Sequence, residues 1–479
     1  MSGQHIIPGW ELVVGLEVHV ELSTRTKLFS GSPNRFGDDA NLHIDPVTLG
    51  LPGALPVLNE RAVELAMRVG LALNCRIEPC TFHRKNYFYP DMPKAYQISQ
   101  YDQPLNVDGF LDLPDGTRIG VERAHLEEDT GKSTHVGGDG RIHGSEGSLI
   151  DFNRAGVPLV EIVSRPDFRT VDQAKAYVNE LRSILVAIEA SDAKMEEGSM
   201  RVDANVSVRR PGEPLGTRCE IKNVNSVRSL GRAIEYEARR QIDLIESGDK
   251  VRQETRHWNE ADGRTHTLRA KEDADDYRYF LEPDLVPLIP DAAWVERVRA
   301  AMPKLPAARR EALGALVGLP ANNDAVWTVV DRGQDDYVCT AIDAGGVPER
   351  VLVHVQQAFA EAGEHPSVPA RDLAALTVME RQGELTATQA KDVLAVMMET
   401  GGEPAAIAES KGYEAMDTGA IETAVDAAIA ADPAAWTKYC AGEEKAAGAL
   451  VGRVMKATKG QADGKIVTNL LQQRRAAAG

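Results

Sequence analysis

The chain has 479 residues, 43% of them hydrophobic and 26% charged, a globular composition too long for a single core. No run approaches the ~20 apolar residues that cross a bilayer, and the opening MSGQHIIPGW lacks a signal peptide's basic start and apolar run, so a soluble, cytoplasmic protein is expected. A formal net charge of −18 argues against a phosphate-binding coat, and five scattered cysteines argue against a disulfide framework.

The first element is the most informative. Leu12, Val14, Leu16, Val18, Val20 and Leu22 alternate with Val13, Gly15, Glu17, His19 and Glu21. This alternation predicts a strand with one buried face. Side chains on the other face stand roughly 7 Å apart. Two carboxylates about an imidazole suit a cation, or an acid and a base over a substrate. A solvated strand face is the plainer reading of this strand alone.

A polar loop follows, then the Pro- and Gly-rich GLPGALPVLN, then a helix over Arg61 to Leu73. Phe82 to Leu105 gathers Phe82, Tyr87, Phe88, Tyr89, Tyr96 and Tyr101 with Arg84, Lys85 and Lys94, in a chain only 5% aromatic. Such a mixture grips a nucleotide or nucleic acid, or else closes a small core. Val121 to His135 contains Gly131-Lys132-Ser133, the tail of a P-loop, but Leu126 stands where the first glycine is required, which excludes that motif. The acids Glu127, Glu128 and Asp129 remain, flanked by His125 and His135. The glycine-rich HVGGDGRIHGSEGS predicts a hairpin tip and carries no dinucleotide fingerprint.

Glu161 lies inside the apolar strand Leu159 to Val163, where a carboxylate is costly unless paired or metal-bound. An amphipathic helix is predicted over Val171 to Ala190. The strand from Met200 to Val208 puts Arg201, Asp203, Asn205 and Ser207 on its polar face. CEIKNVNSV is a short polar strand, Leu230 to Ile245 a helix, and Leu268 to Asp284 an acid-rich stretch in which Arg278 excludes an EF-hand loop. From about Trp294 the strand signals fade. Helical patterns cover Ala301 to Leu319, Asp335 to Gly363 and Ala370 to Glu399, broken by Pro and Gly. Gly401 to Pro404 reads as a linker to a helical tail whose end, beyond Ala441, carries more basic than acidic residues.

VGLEVHVEL, LPGALPVLN, RKNYFYPDMPKAYQISQYDQPL, HLEEDTGKSTH, DFNRAGVPLVEIVSRPD, MEEGSMRVDANVSVR, EIKNVNS, QETRHW, DDYRYFLEPDL and the closing VGRVMKATKGQADGKIV occur in that order. The set resembles the B subunits of the glutamyl/aspartyl-tRNA amidotransferase family. The resemblance implies an α+β fold: a catalytic domain over 1–294 like the glutamine synthetase and guanidino kinase group, an all-α domain over 295–402, and an all-α, tRNA-binding tail over 403–479. It implies ATP-dependent phosphorylation of the side-chain carboxylate of misacylated Glu-tRNA(Gln) or Asp-tRNA(Asn). Ammonia from a separate glutaminase partner then amidates the carboxylate, and a small third protein completes the assembly.

By the same resemblance, His19, Glu128 and Glu161 hold Mg²⁺, with Mn²⁺ an alternative because of the imidazole. Glu17, Lys85 and Lys94 are the catalytic candidates. Arg201 and Asp203 are assigned to nucleotide or substrate. Arg453, Lys456 and Lys459 are assigned to tRNA phosphates. Some members bind structural zinc through a C-P-V-C segment; Asp45-Pro46-Val47-Thr48 stands there instead, so no zinc is expected. The competing reading is a stand-alone ATP-dependent kinase or ligase acting on a small molecule, which has no need of the basic tail.

Overall fold

A computed structural model describes residues 8–137, 146–270, 277–363, 366–413, 418–458, 462 and 464–478. The chain divides into two compact units, Met1–Leu305 and Pro306–Gly479. The first is mixed α and β. Its strands are β1 Glu11–Glu21, β2 Arg76–Ile77, β3 His83–Asn86, β4 Tyr96–Ser99, β5 Asn106–Asp112, β6 Arg118–Glu128, β7 Lys132–Val136, β8 Gly147–Asp151, β9 Pro158–Ser164, β10 Met200–Arg209, β11 Cys219–Val224, β12 Glu254–Asn259, β13 Arg264–Ala270 and β14 Phe280–Leu281. Its helices are α1 Glu60–Ala72, α2 Val171–Ala187, α3 Val227–Glu246 and α4 Ala292–Ala300.

Among the described residues, twelve strands form one sheet, in the order β13-β12-β11-β10-β1-β9-β6-β4-β3-β14, with β5 and β2 branching from β6. The alternation of the first strand is realised. Leu12, Val14, Leu16, Val18, Val20 and Leu22 enter the core with residues of α1, α2 and α3, while Glu17, His19 and Glu21 are only partly buried. Each of these three helices begins on a side chain that accepts orphan N–H groups. Asn59 caps α1, Thr170 and Gln173 form a capping box on α2, and Ser226 caps α3. The helices therefore cover one face of the sheet, and the polar row of β1 lies on the other.

The glycine-rich hairpin has its arms in β7 and β8, where His135 pairs with Ser148; its expected tip, 138–145, lies outside the described residues. The first unit runs past the expected boundary at residue 294. Helix α4 packs on α1, burying Val298 in the same core and placing Trp294 Nε1 3.4 Å from Glu64 Oε1.

The second unit is helical: α5 Pro306–Val317, α6 Asp324–Asp331, α7 Asp335–Asp343, α8 Pro348–Ala358, α9 Ala370–Gln382, α10 Ala387–Thr400, α11 Pro404–Ser410, α12 Thr418–Ala431, α13 Pro433–Cys440, α14 Lys445–Ala457 and α15 Gly464–Ala478. It holds two apolar clusters, one from Leu313 to Ala408 and one from Ile421 to Leu471. Ile407 and Ala408 of α11 belong to the former, so the chain leaves that cluster after α11 and not at Gly402. Among the described residues, no helix is long and apolar enough to cross a membrane.

Leu16 sits on the central strand and is 1% exposed. Leu16→Ala is expected to lower stability by about 2–5 kcal/mol, read as an earlier midpoint in chemical denaturation of the full chain.

Candidate active site

Strand β1 pairs antiparallel with β9 on one side and β10 on the other. Register sets the neighbours of His19: Glu161 on β9 and Arg201 on β10. One strand further, His125 of β6 stands opposite Glu161. Glu127, two residues along β6, shares the His125 face because strand side chains repeat with period 2. His19 Nδ1 lies 3.3 Å from Glu127 Oε1. One donor atom from each of His19, Glu127 and Glu161 lies within 4.8 Å of the other two.

The electrostatics follow from that crowding. Burial favours neutral His19, but Glu161, Glu127 and Asp203 outweigh it and raise its pKa to about 9. Burial pushes Glu127 up, yet the hydrogen bond from His19 and nearby cations bring it down to about 2. Burial also opposes ionisation of Glu161, and His125 and His19 hold its pKa below the ordinary value. Burial keeps His125 below the usual imidazole value. The crowding thus favours the ionised form of both carboxylates and a positive charge on His19 between them.

A cleft of about 500 Å³ opens here, lined by His19, Glu127, Asp129, Arg201, Asp203, Lys85, Lys222, Asn223, Asn225 and Tyr277. Lys85 Nζ sits 4.7 Å from the centre of the Tyr277 ring, and its charge reaches both Glu127 and Glu161. Arg201 Nη2 donates to Asp129 Oδ2 at 2.7 Å. Asp203 accepts from Lys222 Nζ at 2.6 Å and stands 3.9 Å from His19 Nε2. Glu17, two residues before His19 on β1, belongs neither to the cluster of His19, Glu127 and Glu161 nor to the cleft lining, and accepts from Asn205 Nδ2 at 2.8 Å. Glu21, the third member of the row, belongs to a neighbouring group. Burial and the Asp129 charge raise its carboxyl to about 7 against the pull of Arg201 and Arg154.

Two sequence assignments are corrected. Glu128 does not join His19 and Glu161; Glu127 does. Glu128 follows Ala124 and Leu126 on the opposite face of β6, where its carboxylate accepts from the Ile98 N–H at 3.0 Å and from Lys94 Nζ at 2.7 and 2.6 Å. Both side chains of that ion pair are 4% exposed. Lys94 is therefore an internal counter-ion and does not line the cleft. Lys222, Asn223 and Asn225 were missed, although all three stand in the polar strand read from CEIKNVNSV.

In the second unit, Arg453 and Lys456 are exposed on α14. Arg453 Nη2 donates to Asp432 Oδ2 at 2.9 Å, which leaves Lys456 as the more available cation. Lys459 lies outside the described residues. Arg474 and Arg475 pair with Asp426 and Glu444.

Residues 12–296 match the sequence model described as the GatB/GatE catalytic domain, and residues 346–474 match the one described as the GatB domain. The chain belongs to the GatB/GatE family. Its curated relatives agree with the resemblance carried by the motifs. One from Kineococcus radiotolerans is 49% identical over 96% of each chain. One from Salinispora arenicola is 48% identical over 99% of this chain and 98% of its own. One from Corynebacterium diphtheriae is 46% identical over 99% and 98%. All three are named as B subunits of aspartyl/glutamyl-tRNA(Asn/Gln) amidotransferase.

Removing one partner of a buried ion pair strands the other charge. Lys94→Met is expected to cost about 3–5 kcal/mol, and the double change Lys94→Met/Glu128→Leu to recover most of that loss. Denaturation curves of the three proteins check it.

Proposed function

We propose that this chain is the carboxylate-activating component of a tRNA-dependent amidotransferase. It acts on Glu-tRNA(Gln) or Asp-tRNA(Asn), with a glutaminase and a small third protein as its partners in the complex. The observation that carries this reading is the convergence of His19, Glu127 and Glu161, the first two lining the cleft, in a GatB/GatE chain.

The donor set fits a divalent cation. One imidazole nitrogen and two ionised carboxylates suit Mg²⁺, with Mn²⁺ tolerated because of the imidazole. When bound, that ion neutralises charge on the β- and γ-phosphates of ATP. Lys85 faces the acids across the cleft, where a cation can meet phosphate oxygens as they approach. Arg201 and Lys222 are held on the other side by Asp129 and Asp203, so their charges stay in place without substrate. Asn223 and Asn225 offer neutral donors and acceptors for the aminoacyl group.

The chemistry balances in two steps. A side-chain carboxylate oxygen of the aminoacyl group attacks the γ-phosphorus, the bond to the β-phosphate oxygen breaks, and ADP leaves. Ammonia then attacks the acyl carbon, inorganic phosphate leaves, and the amide remains. We propose in the same light that the first unit shares the fold of the glutamine synthetase and guanidino kinase group, enzymes that also pass a phosphoryl group over a metal. The helices beyond residue 402 are read as the tRNA-binding tail, with Lys456 contacting phosphate.

Two outcomes follow. In the full assembly supplied with Glu-tRNA(Gln), ATP, Mg²⁺ and glutamine, His19→Ala and Glu127→Gln are each expected to cut Gln-tRNA formation by about 100-fold or more. Glutamine hydrolysis by the partner provides the control, and full amidation by both variants would overturn the site. Lys456→Gln is expected to weaken binding of every tRNA alike, and to flatten the plot of log affinity against log salt by about one unit. Filter binding across a salt series checks this.

A further inference from the structure

One buried imidazole beside Glu161 has no part in the donor set. His125 is 4% exposed, and its Nδ1 has no hydrogen-bond partner among the described residues. A buried polar atom left in this way calls for an explanation. Its other nitrogen faces the acids: Nε2 lies 3.4 Å from Glu161 Oε2 and 3.9 Å from Glu127 Oε2.

The sheet register makes the arrangement specific. Glu161 is the middle residue of a row across three strands, with His19 opposite on β1 and His125 opposite on β6. Glu127 is divided in the same sense. Its Oε1 faces His19 Nδ1, and its Oε2 faces His125 and, at 3.4 Å, Ser99 Oγ. Each carboxylate that would hold the cation is therefore also approached by His125. A neutral imidazole carries one proton. On Nδ1 that proton would meet nothing, whereas on Nε2 it meets carboxylate oxygen.

We propose that His125 is the positioning residue of the cation site. Its Nε2–H is directed at Oε2 of Glu161, 3.4 Å away, and so turns the remaining oxygen of that carboxylate toward the ion. The role rests on the cation reading proposed above. Carboxylate ligands that are themselves hydrogen-bonded bind metal more tightly, and loss of such a partner costs about 10–100-fold in affinity.

The test is Mn²⁺ alone, titrated into the full chain and followed by the electron paramagnetic resonance signal of the free ion. His125→Leu removes the donor. His125→Asn keeps an amide too short to reach the acids. His125→Gln places an amide N–H near the lost Nε2. The expected result is weaker Mn²⁺ binding by about 10-fold or more for Leu and Asn, and binding within a few-fold of wild type for Gln. A role in packing alone would not be rescued by Gln over Asn. Equal affinity in wild type, Asn and Gln would overturn the proposal while leaving the cation site standing. Absence of Mn²⁺ binding in the wild type would overturn both.

Discussion

The pairing of β1 between β9 and β10 decides which side chains can meet in the cleft. A strand with period 2 has no intermediate setting: a slip of one residue would send Leu16 and Val18 to the cleft and Glu17 and His19 into the core. Burial of the apolar face against α1, α2 and α3 excludes that slip. The same burial fixes His19 opposite Glu161 and Arg201. The chemistry of one face is therefore held by the hydrophobic effect on the other.

Charges of both signs fill this region, and their cost is met by pairing. Asp203 has Lys222, Asp129 has Arg201, and Glu128 has Lys94. Glu127 and Glu161 differ, since the groups set against them are the imidazoles of His19 and His125. An overall charge of −18 suits this design.

Much of this was legible in the sequence. The alternation of the first strand identified the face bearing His19. The lone Glu161 among apolar residues stood out, and the register sets it opposite His19; the order of motifs led to the family. The third acid was not legible. Glu127, Glu128 and Asp129 are consecutive acids with no period of their own. Counting alternation forward from Ile119 and Val121 puts Glu128 on the cleft face. An irregularity between Val121 and Arg123 sets two residues of β6 against one of β9 and reverses the phase. Counting onward from the buried Leu126 puts Glu127 on the cleft face. Lys94 escaped for another reason: an internal ion pair between residues far apart in sequence leaves no local pattern. The helical boundaries drifted because α4 and α11 are short, and tertiary packing on α1 and on the middle cluster decides where they belong.

The most direct test of the account is the identity of the activated intermediate. The full assembly would be given Glu-tRNA(Gln), ATP labelled in the γ-phosphate and Mg²⁺, with hydroxylamine in place of an ammonia source. Phosphoryl transfer in the cleft predicts a side-chain hydroxamate on the tRNA, formed together with one ADP and one labelled inorganic phosphate. Formation of AMP, or of the tRNA-bound side-chain hydroxamate without ATP, would contradict it.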